Sequence, residues 1–132
     1  MFSYTDILND EQVLNIYKAV DIETNYVVSH GLTHVLHVVE STKIISKAVG
    51  LTEAETRLAL IAAALHDIGR SVNNDNHQEE SFKLTKKYLK GKLTATEIKV
   101  VANAVLNHGG DYDKVKNFDK FRLWLEWLIK LI

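Results

Sequence analysis

Apolar residues recur along the chain at three- and four-residue steps, which is the spacing of one face of an α-helix. Such a face follows Asp10, a residue that favours the N-cap position, and it predicts a first helix over residues 11–23. A second helix is predicted over residues 32–49. Gly50 follows it, at the position where a glycine commonly ends a helix.

The third predicted helix is the most hydrophobic part of the chain. Thr52 and Glu55 have the spacing of a capping box and open this helix. Residues 58–65 are apolar on every side, so we expect them at the buried centre of the fold. The helix is predicted to reach the doublet His66–Asp67 and to end at Gly69.

Three more helices are predicted, and no stretch alternates apolar and polar residues for long enough to form a strand. Asn76 is expected to cap the fourth helix, and Thr94 and Glu97 form a second capping box, which opens the fifth. The predicted ranges are 77–90, 95–107 and 118–132. The sequence therefore predicts an all-α fold in which residues 1–132 form a single domain, a bundle of five to six helices.

The composition favours a globular helical domain and argues against other classes of protein. Hydrophobic residues make up 46% of the 132 residues and proline is absent, so a core can form and little interrupts the helices. A net charge of -1 without a basic cluster argues against a nucleic-acid partner. No apolar run approaches the ~20 residues of a membrane span, and the acidic start is unlike a signal peptide. We therefore expect a cytoplasmic protein with no membrane partner.

Histidine is the residue type that points to chemistry, because the chain has six histidines and no cysteine. Without thiolates, any metal site must use imidazole and carboxylate groups. Inward-facing histidines are either core residues with hydrogen-bond partners or members of a shared metal or catalytic centre. Four are expected on inward faces, near helix ends: His34, His66, His77 and His108.

The doublet His66–Asp67 is the sharpest local feature of the chain. Adjacent residues of a regular helix point about 100° apart, so both can bind one ion only where the helix ends or bends. An aspartate at the C-terminal end of a helix opposes the helix dipole and needs a compensating cation, which a divalent metal would supply. Arg70 follows the helix end and is either a bidentate phosphate ligand or a solvated surface charge.

A second grouping of the histidines is also open. His30, His34 and His37 are spaced four and three residues apart, and such a spacing can bind zinc. His30, however, precedes Gly31 and is expected outside the predicted second helix, and this grouping leaves His66–Asp67 without a role. In that helix His34 shares an inward face with Val38, Ile45 and Ala48.

Four ordered segments resemble the HD superfamily of metal-dependent phosphohydrolases. HGLTHVLHVVEST resembles the segment with the first ligand histidine, here His34, and LIAAALHDIGR resembles the segment with the His-Asp doublet, here His66 and Asp67. NHQEESFKLTKKYL and EIKVVANAVLNHGG resemble the two segments that follow, each with a histidine at one end, here His77 and His108. The resemblance is strongest over residues 28–110.

The resemblance implies that metal-activated water hydrolyses a phosphate ester, either a nucleotide or a related phosphomonoester or phosphodiester. His34, His66 and Asp67 would bind a divalent ion, and Asp67 would also orient the water as the catalytic residue. Imidazole and carboxylate ligands suit Mn, Fe, Co, Ni or Zn. Mg is a further candidate for the bound ion. A second metal or the substrate phosphate is expected at His77, His108 and Arg70.

The sequence departs from the family pattern at two places. His37 stands where the family commonly has an arginine. The family's last aspartate lies on a late helix, often in an Ala-Asp context, whereas Asp111, Asp113 and Asp119 stand in other settings. The C-terminal part is therefore expected to be truncated or divergent. A module of the same fold that binds metal or nucleotide without turnover is the alternative function.

The last predicted helix favours a third interpretation, an interaction protein. This helix carries two Trp and two Phe besides several Leu and Ile, which is more apolar surface than one packing face needs. This apolar surface either closes the core or stays exposed. Large exposed apolar patches mark interfaces, so in the second case the excess would drive formation of a homo-oligomer.

Overall fold

The computed structural model of the chain describes residues 1–23, 31–72 and 76–107. Within these ranges it contains six α-helices, a short 3-10 helix and no strand, which confirms the all-α prediction. The α-helices are α1 (Tyr4–Leu8), α2 (Glu11–Glu23), α3 (Leu32–Ala48), α4 (Glu53–Leu65), α5 (His77–Leu89) and α6 (Ala95–Asn107); the 3-10 helix is Ile68–Ser71. The predicted helix over residues 118–132 lies outside the described residues, so the single-domain organisation of 1–132 stays a prediction.

Helix α4 lies at the centre of the bundle, as its all-round apolar sequence predicts. Every residue from Ala59 to Leu65 is buried, and α4 packs against α1, α3 and α6. Four of these seven residues are alanine, and small side chains let neighbouring helix backbones approach closely. The last turn of this buried helix therefore presents its C-terminal end to the interior, beside the 3-10 helix.

Local sequence signals fix how α3 is joined to α4. Gly50 has φ +74°, and the bonds from Gly50 N to the Lys47 carbonyl and from Leu51 N to the Ser46 carbonyl form the Schellman arrangement that ends α3. Thr52 and Glu55 then make the predicted capping box, with reciprocal bonds of 3.1 and 2.9 Å. Such a short connection makes consecutive helices antiparallel, so the start of α3 lies beside the end of α4.

Other capping predictions have mixed outcomes. Asp10 accepts a bond from Gln12 N at the start of α2, and the box of Thr94 and Glu97 opens α6, as predicted. Asn76 stands at the N-cap position of α5, but its side chain bonds to the Glu79 carboxylate instead of capping the backbone.

Three features differ from the prediction. The third predicted helix does not reach Gly69, since α4 ends at Leu65 and the chain turns into the 3-10 helix. Ala48 is exposed and does not share the inward face of His34. Helix α1 was not predicted, because five residues are too few to show a helical period; Ser3 and Asp6 form its capping box.

None of the helices in the described ranges combines the length and the hydrophobicity that crossing a membrane requires.

Candidate metal centre

The doublet lies where the chain leaves α4. His66 keeps helical dihedral angles (φ -61°, ψ -27°), whereas Asp67 has φ -114° and ψ 13°, and the 3-10 helix begins at the next residue. This change of direction between adjacent residues removes the 100° divergence that a continuous helix would impose. The two side chains therefore point to the same place, and both are buried.

His34 approaches the doublet from the first turn of α3. Its Nε2 atom lies 3.2 Å from His66 Nε2 and 3.5 Å from Asp67 Oδ2, and His66 Nε2 lies 3.4 Å from the same carboxylate oxygen. Three potential ligand atoms from two remote segments thus form a nearly equilateral triangle. His34 is the most accessible of the three residues, with 12% of its side chain exposed.

The triangle has the dimensions of one face of a metal coordination sphere. Imidazole and carboxylate ligands bind divalent ions at about 2.0–2.2 Å, which places neighbouring ligand atoms about 3.0 Å apart in octahedral and about 3.4 Å apart in tetrahedral coordination. The three separations, 3.2–3.5 Å, fall around these values. This donor set therefore fits a divalent ion.

A hydrogen bond fixes which nitrogen of His66 faces the triangle. His66 Nδ1 lies 2.6 Å from the Ala63 carbonyl oxygen, which can only accept a hydrogen bond, so this nitrogen carries a proton. In the neutral imidazole, Nε2 is then left with its lone pair directed at the other two ligand atoms. Burial has the largest single effect on the pKa of His66 and lowers it, but the Asp67 carboxylate and the Ala63 carbonyl together raise the pKa overall.

Arg70 and His77 complete the surroundings of Asp67. Arg70 Nε lies 3.2 Å from Asp67 Oδ2, and His77 Nε2 lies 3.7 Å from Asp67 Oδ1 and 3.2 Å from Arg70 Nη2. The Arg70 side chain is only 14% exposed, so it is not a solvated surface charge. The compensating cation predicted for Asp67 is thus partly supplied by the protein itself. Arg70 and His77 form one rim of the cluster.

The structure brings some predicted site residues together and leaves others apart. His34, His66, Asp67, Arg70 and His77 share one site. His37 is exposed on α3 and is not a member of the group of ligand atoms that His34 joins. Two predicted residues, His108 and His30, lie outside the described residues, as do Asp111, Asp113 and Asp119.

One residue that supports the site was missed in the sequence. Ser81, buried on α5, accepts a 2.7 Å hydrogen bond from the backbone N–H of Gly69 in the 3-10 helix. This bond ties the segment after the doublet to α5, which also carries His77. Ser81 stands four residues after His77 and so shares its inward face, but this spacing does not show which group its hydroxyl would bind.

Comparison with known proteins shows which family this chain resembles. The model of the HD domain family matches residues 31–127. Ribonuclease Y from Lactobacillus helveticus and ribonuclease Y from Lactobacillus acidophilus are each 32% identical to this chain over 93 residues. The match covers 68% of this chain but only 16% of either relative. The search of the solved structures gave no significant match.

Proposed function

The chain belongs to the HD domain family, whose members are metal-dependent hydrolases, and we propose that it hydrolyses a phosphate ester with a divalent ion held by His34, His66 and Asp67. The observation that carries the proposal is the triangle of ligand atoms, whose sides match those of a coordination sphere. Any of Mn, Fe, Co, Ni, Zn and Mg is compatible with two imidazoles and a carboxylate, although the first five suit imidazole better.

The bound ion would polarise a phosphoryl oxygen and lower the pKa of a bound water to about 7. Asp67 has two carboxylate oxygens with different surroundings: Oδ2 belongs to the triangle, and Oδ1 faces His77. In our proposal Oδ2 holds the ion and Oδ1 accepts a hydrogen bond from the attacking water. Asp67 would thereby orient the nucleophile as well as bind metal.

The rim residues would bind the substrate and serve the leaving group. The Arg70 guanidinium already offsets the charge of Asp67, so a divalent ion makes the whole cluster positive and suited to a phosphate anion. The outer nitrogens of Arg70 can donate hydrogen bonds to phosphate oxygens. Arg70 Nη2 can only donate, so His77 Nε2 accepts in their 3.2 Å contact. His77 would therefore have to be released from Arg70 and protonated before it could serve the leaving oxygen. His108 remains a candidate for the same substrate or for a second metal.

The substrate class is proposed as a small phosphorylated compound, a nucleotide in the first place. A phosphodiester is included because the relatives are named ribonucleases, so short RNA belongs among the compounds to test. The chain spans less than a fifth of those relatives' length, and the activity of the full-length relatives is no more than a hint for this protein.

A module that binds metal or nucleotide without turnover is the second candidate function. It is motivated by Asp111, Asp113 and Asp119, none of which stands in the Ala-Asp context that the family's last ligand often has. The experiment on the first function separates the two.

That experiment compares two histidines of the same helix. His34→Ala removes a corner of the triangle, whereas His37→Ala makes the same chemical change on the exposed side of α3. Elemental analysis of the purified proteins measures bound metal, and hydrolysis is followed on nucleoside phosphates, an activated phosphodiester and short RNA. We expect H34A to lose most of its metal and its activity, and H37A to keep both.

Three other outcomes would decide between the functions. Full metal content in H34A, or none in the wild type, would contradict the metal centre. Metal in the wild type and H37A, without turnover of any substrate, would favour the binding module. Equal loss of activity in H34A and H37A would mean that hydrolysis does not depend on the triangle of ligand atoms.

A further inference from the structure

Helix α2 provides no member of the triangle, but it contacts both segments that do. Two of its buried polar residues, Tyr17 and Asp21, are four residues apart and therefore lie on the same face of the helix. This face packs against α3 and against the 3-10 helix that follows the doublet. Each of the two residues makes a hydrogen bond at the point where one ligand-bearing segment begins or ends.

Tyr17 acts at the end of α4. Its hydroxyl donates a 2.6 Å hydrogen bond to the Ala64 carbonyl, two residues before His66. This carbonyl lies in the last turn of α4, where a helix leaves carbonyl groups without a partner inside the helix. A carbonyl oxygen can only accept, so the Tyr17 hydroxyl is the donor of this bond. Tyr17 thus stabilises the break that lets the doublet converge.

Asp21 acts at the start of α3. Its Oδ2 atom accepts a 3.0 Å hydrogen bond from the backbone N–H of Leu32, the first residue of the helix. Gly31 allows this approach, because a Cβ atom at this position would collide with the Asp21 carboxylate. His34 follows two residues after Leu32, so the position of the first turn of α3 also sets the position of its imidazole.

We propose that α2 sets the distance between His34 and the doublet, with Tyr17 and Asp21 as positioning residues for the metal centre. The two bonds hold segments that are 32 residues apart in sequence against one rigid helix. Metal ligands must keep their distances within about 0.2 Å, so a small movement of either segment weakens binding. The inference rests on the proposed function only as far as it concerns metal binding.

Tyr17→Phe tests the first bond, and Tyr88→Phe is its matched control. Tyr88 also donates a hydrogen bond to a remote segment, from α5 to Oδ2 of Asp10, the residue before α2, at 3.0 Å; neither residue belongs to the triangle. Removing a residue that orients metal ligands typically lowers affinity about 10–100-fold. We expect Mn²⁺ or Co²⁺ affinity, measured by calorimetry, to fall at least tenfold in Y17F and to stay within twofold of wild type in Y88F. Unchanged affinity in Y17F, or an equal fall in both, would overturn the role of Tyr17.

Asp21 is tested by a conservative and a truncating variant. Asp21→Asn keeps an oxygen that can accept the Leu32 N–H, whereas Asp21→Ala removes it. If Asp21 positions α3, D21N retains nearly wild-type metal affinity and D21A loses at least tenfold; equal affinity in all three proteins would contradict the proposal. Circular dichroism verifies that each variant is folded, and the Asp21 pair decides the question should Y17F fail to fold.

A measurement without metal separates this inference from the proposed function. The imidazole NMR signals of His34 and His66 report the contact between the two rings, whose centroids are 5.2 Å apart. Y17F and D21A should shift these signals in the metal-free protein, and Y88F and D21N should not. Failure of wild type to bind any divalent ion would refute the metal centre alone, whereas unshifted signals in Y17F and D21A would refute the positioning role.

Discussion

Gly69 is the residue at which a single added methyl group should disturb the metal centre most. It lies in the 3-10 helix, two residues after Asp67. A Cβ atom on Gly69 would lie 2.7 Å from His77 O and Glu80 Cβ, and closer still to the backbone N of Ser81. All three neighbours belong to the first turns of α5. They are backbone atoms or a Cβ, so they cannot rotate away as the end of a flexible side chain would.

The size of the effect follows from these contacts. Ordinary van der Waals contact begins at 3.4 Å, so the 3-10 helix and α5 must separate by about 0.7 Å or more. Overpacking of this kind destabilises by about 1–3 kcal/mol. The 2.7 Å bond from Gly69 N to Ser81 Oγ would be lost as well, at about 0.5–1.5 kcal/mol. Together we expect Gly69→Ala to lower the free energy of unfolding by about 2–4 kcal/mol, which most domains survive.

The assay measures stability and metal binding separately, with Gly91→Ala as the control. Gly91 has φ +82° and no atom within 4 Å of an added Cβ, so alanine there suffers only backbone strain of about 1–2 kcal/mol. Urea denaturation of the metal-free proteins gives the free energies, and calorimetric titration with Mn²⁺ gives the affinities. We expect G69A to be the less stable variant and the only one of the two with weakened metal binding.

Two results would refute this reasoning. If G69A were as stable as G91A or more so, the close approach of the 3-10 helix to α5 would not be a real constraint. If G69A were strongly destabilised but bound metal like wild type, the position of Asp67 would not depend on how this segment packs on α5.

Two further predictions concern pH and metal. The Thr94 backbone N–H, helped by Arg57, lowers the pKa of Glu97. The Glu97 carboxylate therefore stabilises the fold fully above the unfolded pKa of about 4.3, and this stabilisation is lost as the pH falls through the lower, folded pKa. Glu97→Gln should be less stable than wild type at pH 7, and the difference in melting temperature should shrink as the pH falls below about 4.3. A divalent ion at 100 times its dissociation constant should stabilise the wild type and H37A against unfolding by about 2.7 kcal/mol, but it should not stabilise H34A. Melting temperatures measured with metal and with chelator check this, and an unchanged wild-type value would contradict it.

Much of the fold could be predicted because its signals are local. The glycine that ends α3 and the capping boxes of α4 and α6 form hydrogen bonds with residues only a few positions away along the chain. The sequence alone is therefore enough to predict them. The all-round apolar run of α4 likewise identifies the buried helix without reference to any partner. The resemblance to HD domains rested on ordered motifs of the same local kind and is confirmed by the family match.

The sequence by itself determined five of the six α-helices of the described residues, which of them is buried and which histidines and aspartate are candidates for chemistry. Only the tertiary structure decided that His34 and the doublet form a triangle of 3.2–3.5 Å and that Arg70 pairs with Asp67 rather than facing solvent. It also decided that Tyr17 and Asp21 of α2 make hydrogen bonds to the end of α4 and to the start of α3. The physical reason is that helical period and capping depend on neighbours within four residues, whereas distances of a few tenths of an ångström between remote segments depend on how side chains pack across the bundle.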